Sequence, residues 1–437
     1  MIVRIAWKNI WFKPLNTILS VILLTASVAI ISLLILLQEQ FEKQFSSNID
    51  GVDLVIGAKG SPLQLILSSV YQVDAPTGNV SYDEAKIWMK HPFVKTAIPL
   101  AFGDNYRGFK IVGTTPDYLE KYGAKVETGK IFSKNFEVVM GSEIAKKLNI
   151  KVGDKFFGSH GDAEEGEVHE EFAYIVSGIA SPTGKVIDNL ILSNIQSVWA
   201  MHESHDHEET HLENPAHGEE GHVHEEGKEH HHAQHGEEDH VHEEGNEHHN
   251  EINEEGKEIT AVLIKFKNKM GFVLWPRLIA QNTEMQAASP AVEINRLFSL
   301  FGIGLQALQY LAYGIMLISG ISIFIALYTT LKERKYEFAL MRLSGASRLQ
   351  LLGLVLFESL LLCITGFVLG TIVGRVGLWL ISSTTEQAYK MTFDPFAFAL
   401  EKEGVLFIVT IFVGIIAALI PAIKAYRLNI SKTLANA

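Results

Sequence analysis

His222-Val-His-Glu-Glu-Gly-Lys-Glu-His-His231 is followed, eighteen positions on, by a near-copy of itself, His240-Val-His-Glu-Glu-Gly-Asn-Glu-His-His249. Residues of these types bind cations. With an unperturbed pKa of about 6.5, most imidazoles have a nitrogen lone pair free near pH 7. The interspersed carboxylates concentrate divalent ions and complete an N/O donor set suited to zinc and related metals. Fifteen of the 18 histidines fall in this one segment: His202, His205, His207, His211, His217, His222, His224, His230, His231, His232, His235, His240, His242, His248 and His249. Their HxH, HH and HxxH groupings are numerous and nearly equivalent, whereas a structural zinc requires ligands at defined separations in a folded frame. The pattern points to a gatherer or sensor with several exchangeable sites for Zn2+ or another divalent transition metal. A solvated tract without metal use is the plainer alternative.

The acidity of the chain sits in the same place. Residues 202–258 hold 20 Asp and Glu against two Lys, a local charge of −18, and subtracting this from the total of −13 leaves +5 for the remainder. With so few large apolar residues the segment cannot bury a core of its own, and a disordered insertion is expected. Other chemistry is missing from the string. There is no GxxxxGK[ST] phosphate loop, no GxSxG elbow and no HExxH helix, and Gly57-Ala-Lys-Gly-Ser61 lacks the spacing to cradle a phosphate and reads as a turn. Cys363 is the single cysteine, so no disulfide forms within the chain. A non-catalytic protein is expected, with no nucleic acid among its partners.

The elements around this segment belong to a membrane protein: 47% of the residues are hydrophobic and the mean hydropathy is positive. Residues 15–37, 305–331, 349–381 and 404–423 are apolar runs long enough to cross about 30 Å of hydrocarbon at 1.5 Å per residue. A cleavable signal peptide would need a shorter apolar core and a small-residue cleavage site, but Gln38-Glu39-Gln40-Phe41 follows the first run. Arg4, Lys8 and Lys13 precede the first run, Lys332, Arg334, Lys335, Arg342 and Arg348 separate the second from the third, and Lys424, Arg427 and Lys432 follow the fourth. Short cationic loops stay in the cytoplasm, so both termini, the segment 332–348 and the tail 424–437 are expected inside, with 38–304 and the loop 382–403 outside. Residues 1–14, in which Ile5, Trp7, Ile10, Trp11 and Phe12 alternate with cations, read either as an interfacial amphipathic helix on the lipid or as the cationic flank of the first span. Glu358, about two turns into the third span, is either a packing or transmission contact between helices or a side chain that snorkels to the inner surface. Arg375, nearer the outer end, reads as an interfacial anchor.

Between the first two spans the pattern changes to strands and short helices. Val52–Ile56, Phe109–Val112, Phe136–Met140 and Phe172–Val176 have strand composition. Ser81-Tyr-Asp-Glu84 is a capping box, Thr115-Pro116 opens a helix that Gly123 can close, and Ser142 can cap 143–148. A further strand at Ile259–Phe266 makes 202–258 an insertion within one α+β domain, which closure entropy tolerates because it grows slowly with loop length. The expected fold is an α+β membrane protein with four transmembrane helices and a large extracytoplasmic α+β domain between the first and second.

Lys332-Glu-Arg-Lys-Tyr-Glu-Phe-Ala-Leu-Met-Arg-Leu-Ser-Gly-Ala-Ser-Arg348 resembles the cytoplasmic segment of FtsX-like and MacB-like ABC-transporter permeases. Ala6–Leu15 is similar to that family's amphipathic start and Ile420–Ile430 to its closing segment, while Gly129-Lys-Ile-Phe132 and Val138–Asp154 resemble the MacB-like periplasmic core domain. The resemblance implies a homodimeric permease in the bacterial inner membrane, served by a separate ABC ATPase. Members of the MacB branch carry a fused nucleotide-binding domain that is not in this sequence, so the efflux role of that branch does not transfer directly. The coupling residues it implies are Glu333, Arg334, Tyr336, Glu337, Phe338, Leu340, Met341, Arg342 and Gly345, on a short helix suited to a groove in a partner. Two functions are then expected. One is transport or homeostasis of a transition metal such as zinc, with a periplasmic metal-binding protein as a partner. The other is mechanotransmission, in which the outer domain extracts a lipoprotein or operates a periplasmic partner and metal only regulates the stroke.

Overall fold

The computed structural model describes the backbone of residues 14–159, 168–201, 254–268, 270–389 and 393–428, and their side chains except at 168–171 and 385–389. The fifteen histidines of the insertion, the amphipathic stretch before Pro14 and the tail beyond Leu428 lie outside the described residues. Two compact units form, one from Met1–Asp50 with Pro290–Ala437 and one from Gly51–Ser289.

The chain enters through helix α1 (Pro14–Ile49) and then builds the second unit around a ten-stranded sheet. Its strands are β1 (Leu54–Ala58), β3 (Val94–Tyr106), β4 (Phe109–Thr114), β5 (Val126–Gly129), β6 (Glu137–Met140), β7 (Lys155–Ser159), β8 (Val168–Ala180), β9 (Ile191–Asn194), β11 (Ala261–Phe266) and β12 (Met285–Ala288), in the order β12-β1-β11-β3-β4-β9-β6-β8-β5, with β7 bridging β3 and β8. A two-stranded ladder of β2 (Val80–Ser81) and β10 (Glu258–Ile259) stands apart. The long β3 serves two cores: its first half pairs with β11 and its second with β4, and a bulge between Phe102 and Asn105 turns it. One core gathers Leu54, Ile56, Val262, Ile264 and Trp275, the other Ile111, Val138, Met140, Tyr174 and Ile191, all buried.

The short helices of this unit are α2 (Pro62–Ser69), α3 (Tyr82–Met89), α4 (Asp117–Tyr122), α5 (Ser142–Leu148), α6 (described over 195–201) and α7 (Met270–Asn282). Ser81 caps α3 by accepting the Glu84 amide at 3.4 Å, and Gly123 closes α4 in the left-handed region at φ 72°. At α5 the expected cap is displaced by one residue. Gly141, not Ser142, occupies the N-cap and makes no side-chain bond. The backbone there presses on the Ile187 and Asp188 carbonyls so closely that a Cβ at 141 would collide with them. Ser142 consequently becomes the first helical residue.

The first unit is completed by α8 (Pro290–Glu333), α9 (Lys335–Leu343), α10 (Arg348–Tyr389) and α11 (Leu400–Tyr426). α1, α8, α10 and α11 are each long and apolar enough to cross a membrane, and a helix satisfies its backbone polar groups where no water can. Their packing relies on small residues. Gly366, Gly370 and Gly374 of α10, four apart, bring it onto α1, where an added Cβ would come within 2.6 Å of Leu24 Cδ2, 2.6 Å of Val28 Cβ and 2.9 Å of the Ala29 carbonyl. Hydroxyls cross-link the helices further: Ser20 and Ser322 lie 2.8 Å apart, and Ser359 donates to the Gly414 carbonyl at 2.8 Å. Outward-facing residues such as Leu311, Leu317, Ile325, Phe412 and Ile416 are apolar, as a lipid-facing surface requires. An α+β membrane protein is the result.

Candidate functional site

The junction of α8 and α9 is a single residue. Arg334 leaves helical geometry at φ −98° and ψ 17°, and its guanidinium reaches Glu337 one turn on through Nε at 2.7 Å and through Nη2. α9 is amphipathic. Phe338 and Ala339 are buried, Met341 packs against the bundle core, and Tyr336, Leu340 and Leu343 point outward at 48%, 44% and 61% exposure. Their i, i+4, i+7 spacing makes an apolar stripe that no described residue covers. Past the helix, Gly345 adopts φ 99°, a conformation that suits glycine, and Arg342 Nη1 donates to the Ala346 carbonyl at 2.7 Å. Ser347 then starts α10 with a reciprocal cap: its Oγ accepts the Gln350 amide at 3.1 Å and its own amide donates to Gln350 Oε1 at 2.8 Å.

The nine residues of the expected coupling set therefore separate by role. Tyr336 and Leu340 lie on the exposed stripe, Glu333 and Gly345 flank it in solvent, Arg334, Glu337 and Arg342 fix its ends, and Phe338 and Met341 seat it on the bundle. Glu358 is 5% exposed and so is largely covered by the helices of the bundle. Arg375 is also more than an anchor at an interface. It donates to the Pro395 and Ala397 carbonyls at 2.8 Å each, grips both oxygens of Glu403 at 2.8 and 3.1 Å, and lies 4.5 Å from the Phe398 ring centre. Alongside it, Gln40 of α1 accepts the Asp394 amide at 2.7 Å and donates to its carbonyl at 2.9 Å. The α10–α11 connection is thus tied at the end of the bundle opposite α9. Arg375 and Glu403 are 28 positions apart, beyond the range of any local pattern.

In the outer unit the two roots of the histidine segment meet. Trp199 Nε1 donates to the Glu258 carbonyl at 2.7 Å, β10 pairs with β2 through Glu258–Ser81 and Ile259–Val80, and Lys86 of α3 binds Glu254 at 2.8 Å. The Gly256 amide donates to Asp83, holding that carboxyl below its ordinary range, while the bond to Glu254 raises Lys86. Residues 254–258 thus belong to the folded domain. Among the described residues no group of three or more His, Cys, Asp or Glu could hold a metal.

In chain order a folded domain lies between the first two of four helices long and apolar enough to cross a membrane, and a short amphipathic helix lies between the second and third. Residues 310–430 match the FtsX-like permease C-terminal family and residues 15–212 the MacB-like periplasmic core domain. The chain belongs to the FtsX-like and MacB-like ABC transporter permeases. In that family the membrane subunit is generally non-catalytic and works with an ABC ATPase in a dimeric assembly. Four apolar helices and this membership fit an inner-membrane protein with a periplasmic domain. Among solved structures, the chain is similar to the periplasmic region of MacB from Actinobacillus actinomycetemcomitans, at 10% identity over 57% of this chain and 95% of that one with a TM-score of 0.32. It is also similar to the extracellular domain of the noncanonic ABC-type transporter YknZ from Gram-positive bacteria, at 9% identity over 54% and 99% with a TM-score of 0.30. No curated protein sequence matches the chain.

Proposed function

We propose that this permease is a transmitter of mechanical work. A cytoplasmic ATPase seats on the α9 stripe, and its cycle displaces α1 and α8, whose far ends lead by chain connection into the outer domain. The membrane orientation this requires places both termini and α9 in the cytoplasm. One observation carries the reading: α1 and α8 do not stop where their apolar runs do. α1 continues as unbroken helix through 38–49 and α8 begins at Pro290, ahead of its apolar run at 305. At 1.5 Å per residue these extensions reach about 20 Å past the spans. They are joined to each other by the Phe45–Phe298 ring contact at 5.7 Å and to the α10–α11 connection by Phe41–Phe393 at 5.1 Å. The outer domain would then extract a lipoprotein or operate a periplasmic partner. Labels at Ser46 and Ser299, read with the ATPase bound in its ATP-trapped and nucleotide-free states, should change separation. A separation that never moves overturns the reading.

A second reading is favoured by the fifteen histidines: zinc or a related metal is what the complex handles, and the insertion collects it. Removal of residues 202–250 should leave ATPase coupling intact yet impair growth under zinc limitation or excess, and labelled zinc should cross the wall of vesicles holding the complex. If zinc instead alters ATP hydrolysis without crossing, metal is a regulator of the mechanical cycle.

A further inference from the structure

In the outer unit β11 pairs with the first half of β3, Leu263 opposite Ile98 and Lys265 opposite Thr96. Strand alternation puts these four side chains on one face of the sheet. α4 borders that face and leaves a cleft of about 270 Å³. Its floor is apolar, made by Ile98 and Leu263, which are otherwise buried at 3% and 2% exposure. Its walls carry charge of both signs, and the signs are segregated. The strands supply the ammoniums of Lys95 and Lys265, and α4 supplies the carboxylates of Asp117 and Glu120. A third ammonium, that of Lys121, is turned onto the Tyr122 ring, 3.4 Å from its centre. Gly51 and Val52, through which α1 passes into β1, complete the wall. Gly51 is close enough to Lys265 that an added Cβ would stand 3.6 Å from its Nζ. The ion pairs of this unit join other residues, such as Lys59 with Glu284 and Lys130 with Glu137, and among the described residues none links the four charges of the cleft.

Two ammoniums and two carboxylates that line one small space without closing on each other are matched by a ligand that carries both signs. A simple anion would be drawn to the lysines and repelled by α4, and a simple cation would meet the converse. The volume is below the roughly 300 Å³ at which pockets for drug-sized ligands begin, and the floor suits an aliphatic group. We infer that the outer domain holds a binding site for a small zwitterion with an aliphatic side chain, an amino acid or a dipeptide. Its ammonium faces Asp117 and Glu120, its carboxylate faces Lys95 and Lys265, and its side chain rests on Ile98 and Leu263. The site is independent of which load the permease moves.

The test titrates the full chain in lipid nanodiscs with L-leucine and with L-alanyl-L-leucine, read by ligand-observed NMR against empty nanodiscs. Saturable binding is expected, and the tighter of the two tells amino acid from peptide. The N-acetylated form of that ligand, which lacks the positive charge, and its C-terminal amide, which lacks the negative one, should each bind about tenfold more weakly. Asp117→Asn with Glu120→Gln should weaken the parent ligand about tenfold and leave the acetylated form unaffected. Lys95→Gln with Lys265→Gln should weaken the parent equally and leave the amide unaffected. All four side chains are exposed, so the melting temperature should not move. The absence of saturable binding, an acetylated form that binds as tightly as its parent, or losses that are the same for parent and modified ligands would overturn the inference.

Discussion

Glu137 opens β6 with most of its side chain buried, and burial alone would raise its pKa. The amides of Ser133 at 2.8 Å and Lys134 at 3.2 Å, the Lys130 ammonium and the Ser133 hydroxyl outweigh that and bring it to about 2, from an ordinary 4.5. A folded-state pKa below the unfolded one adds stability that is fully present above pH 4.5 and lost as pH falls toward 2. Glu137→Gln should therefore destabilise the outer domain by up to about 3 kcal/mol at pH 7, and the gap from the unsubstituted protein should close as thermal melts are taken below pH 4. A gap that is constant with pH would assign the loss to packing. At this scale the string is legible only where a rule is local. The cap at Ser81 lies three residues from the amide it accepts and is readable, whereas the Gly141 cap is decided by carbonyls at 187 and 188, more than forty positions away. Glu358 illustrates the same limit: its depth along the span is legible, but how far it is covered depends on what α10 packs against.

Among the elements, the four spans and most of the short strands and helices are readable because hydrophobic period and length report a helix's own surroundings. What joins them is less so. The glycines of α10 form a small-xxx-small pattern, a signal present in the string that only the contact with α1 makes meaningful. Gly370→Val should drive a side chain into Val28 and lower the melting temperature of the detergent-purified chain by several degrees, as expected of overpacking by about 1–3 kcal/mol. Gly353→Ala, on the same helix with open space around its Cβ position, should be neutral or slightly stabilising. At the other end of α10, Glu403→Gln leaves the Arg375 guanidinium short of its carboxylate. Faster hydrogen exchange or proteolysis confined to 393–400 is the expected result; exchange that spreads equally through α1 and α8 would show that the staple holds the whole bundle.

For the molecule as a whole, composition and four long apolar runs sufficed to read an α+β membrane protein, and the charged stretch at 332–348 pointed to the family. The sheet order did not follow from the string, since β11 returns to pair between β1 and β3 from the far side of a segment more than fifty residues long. Placing Glu at both Tyr336 and Leu340 should abolish co-purification of the ATPase while the chain still inserts and folds, because those side chains touch no core; Phe338→Ala should instead cost stability, by about 3–5 kcal/mol. The same architecture settles how freely the histidine tract can vary. Its two stems are clasped by the Trp199–Glu258 bond and the β2–β10 ladder, so the domain closes on itself before the tract begins. A lineage could lengthen, shorten or exchange that appendage, or an experimenter could graft a fluorescent protein there, without asking the sheet to refold around it.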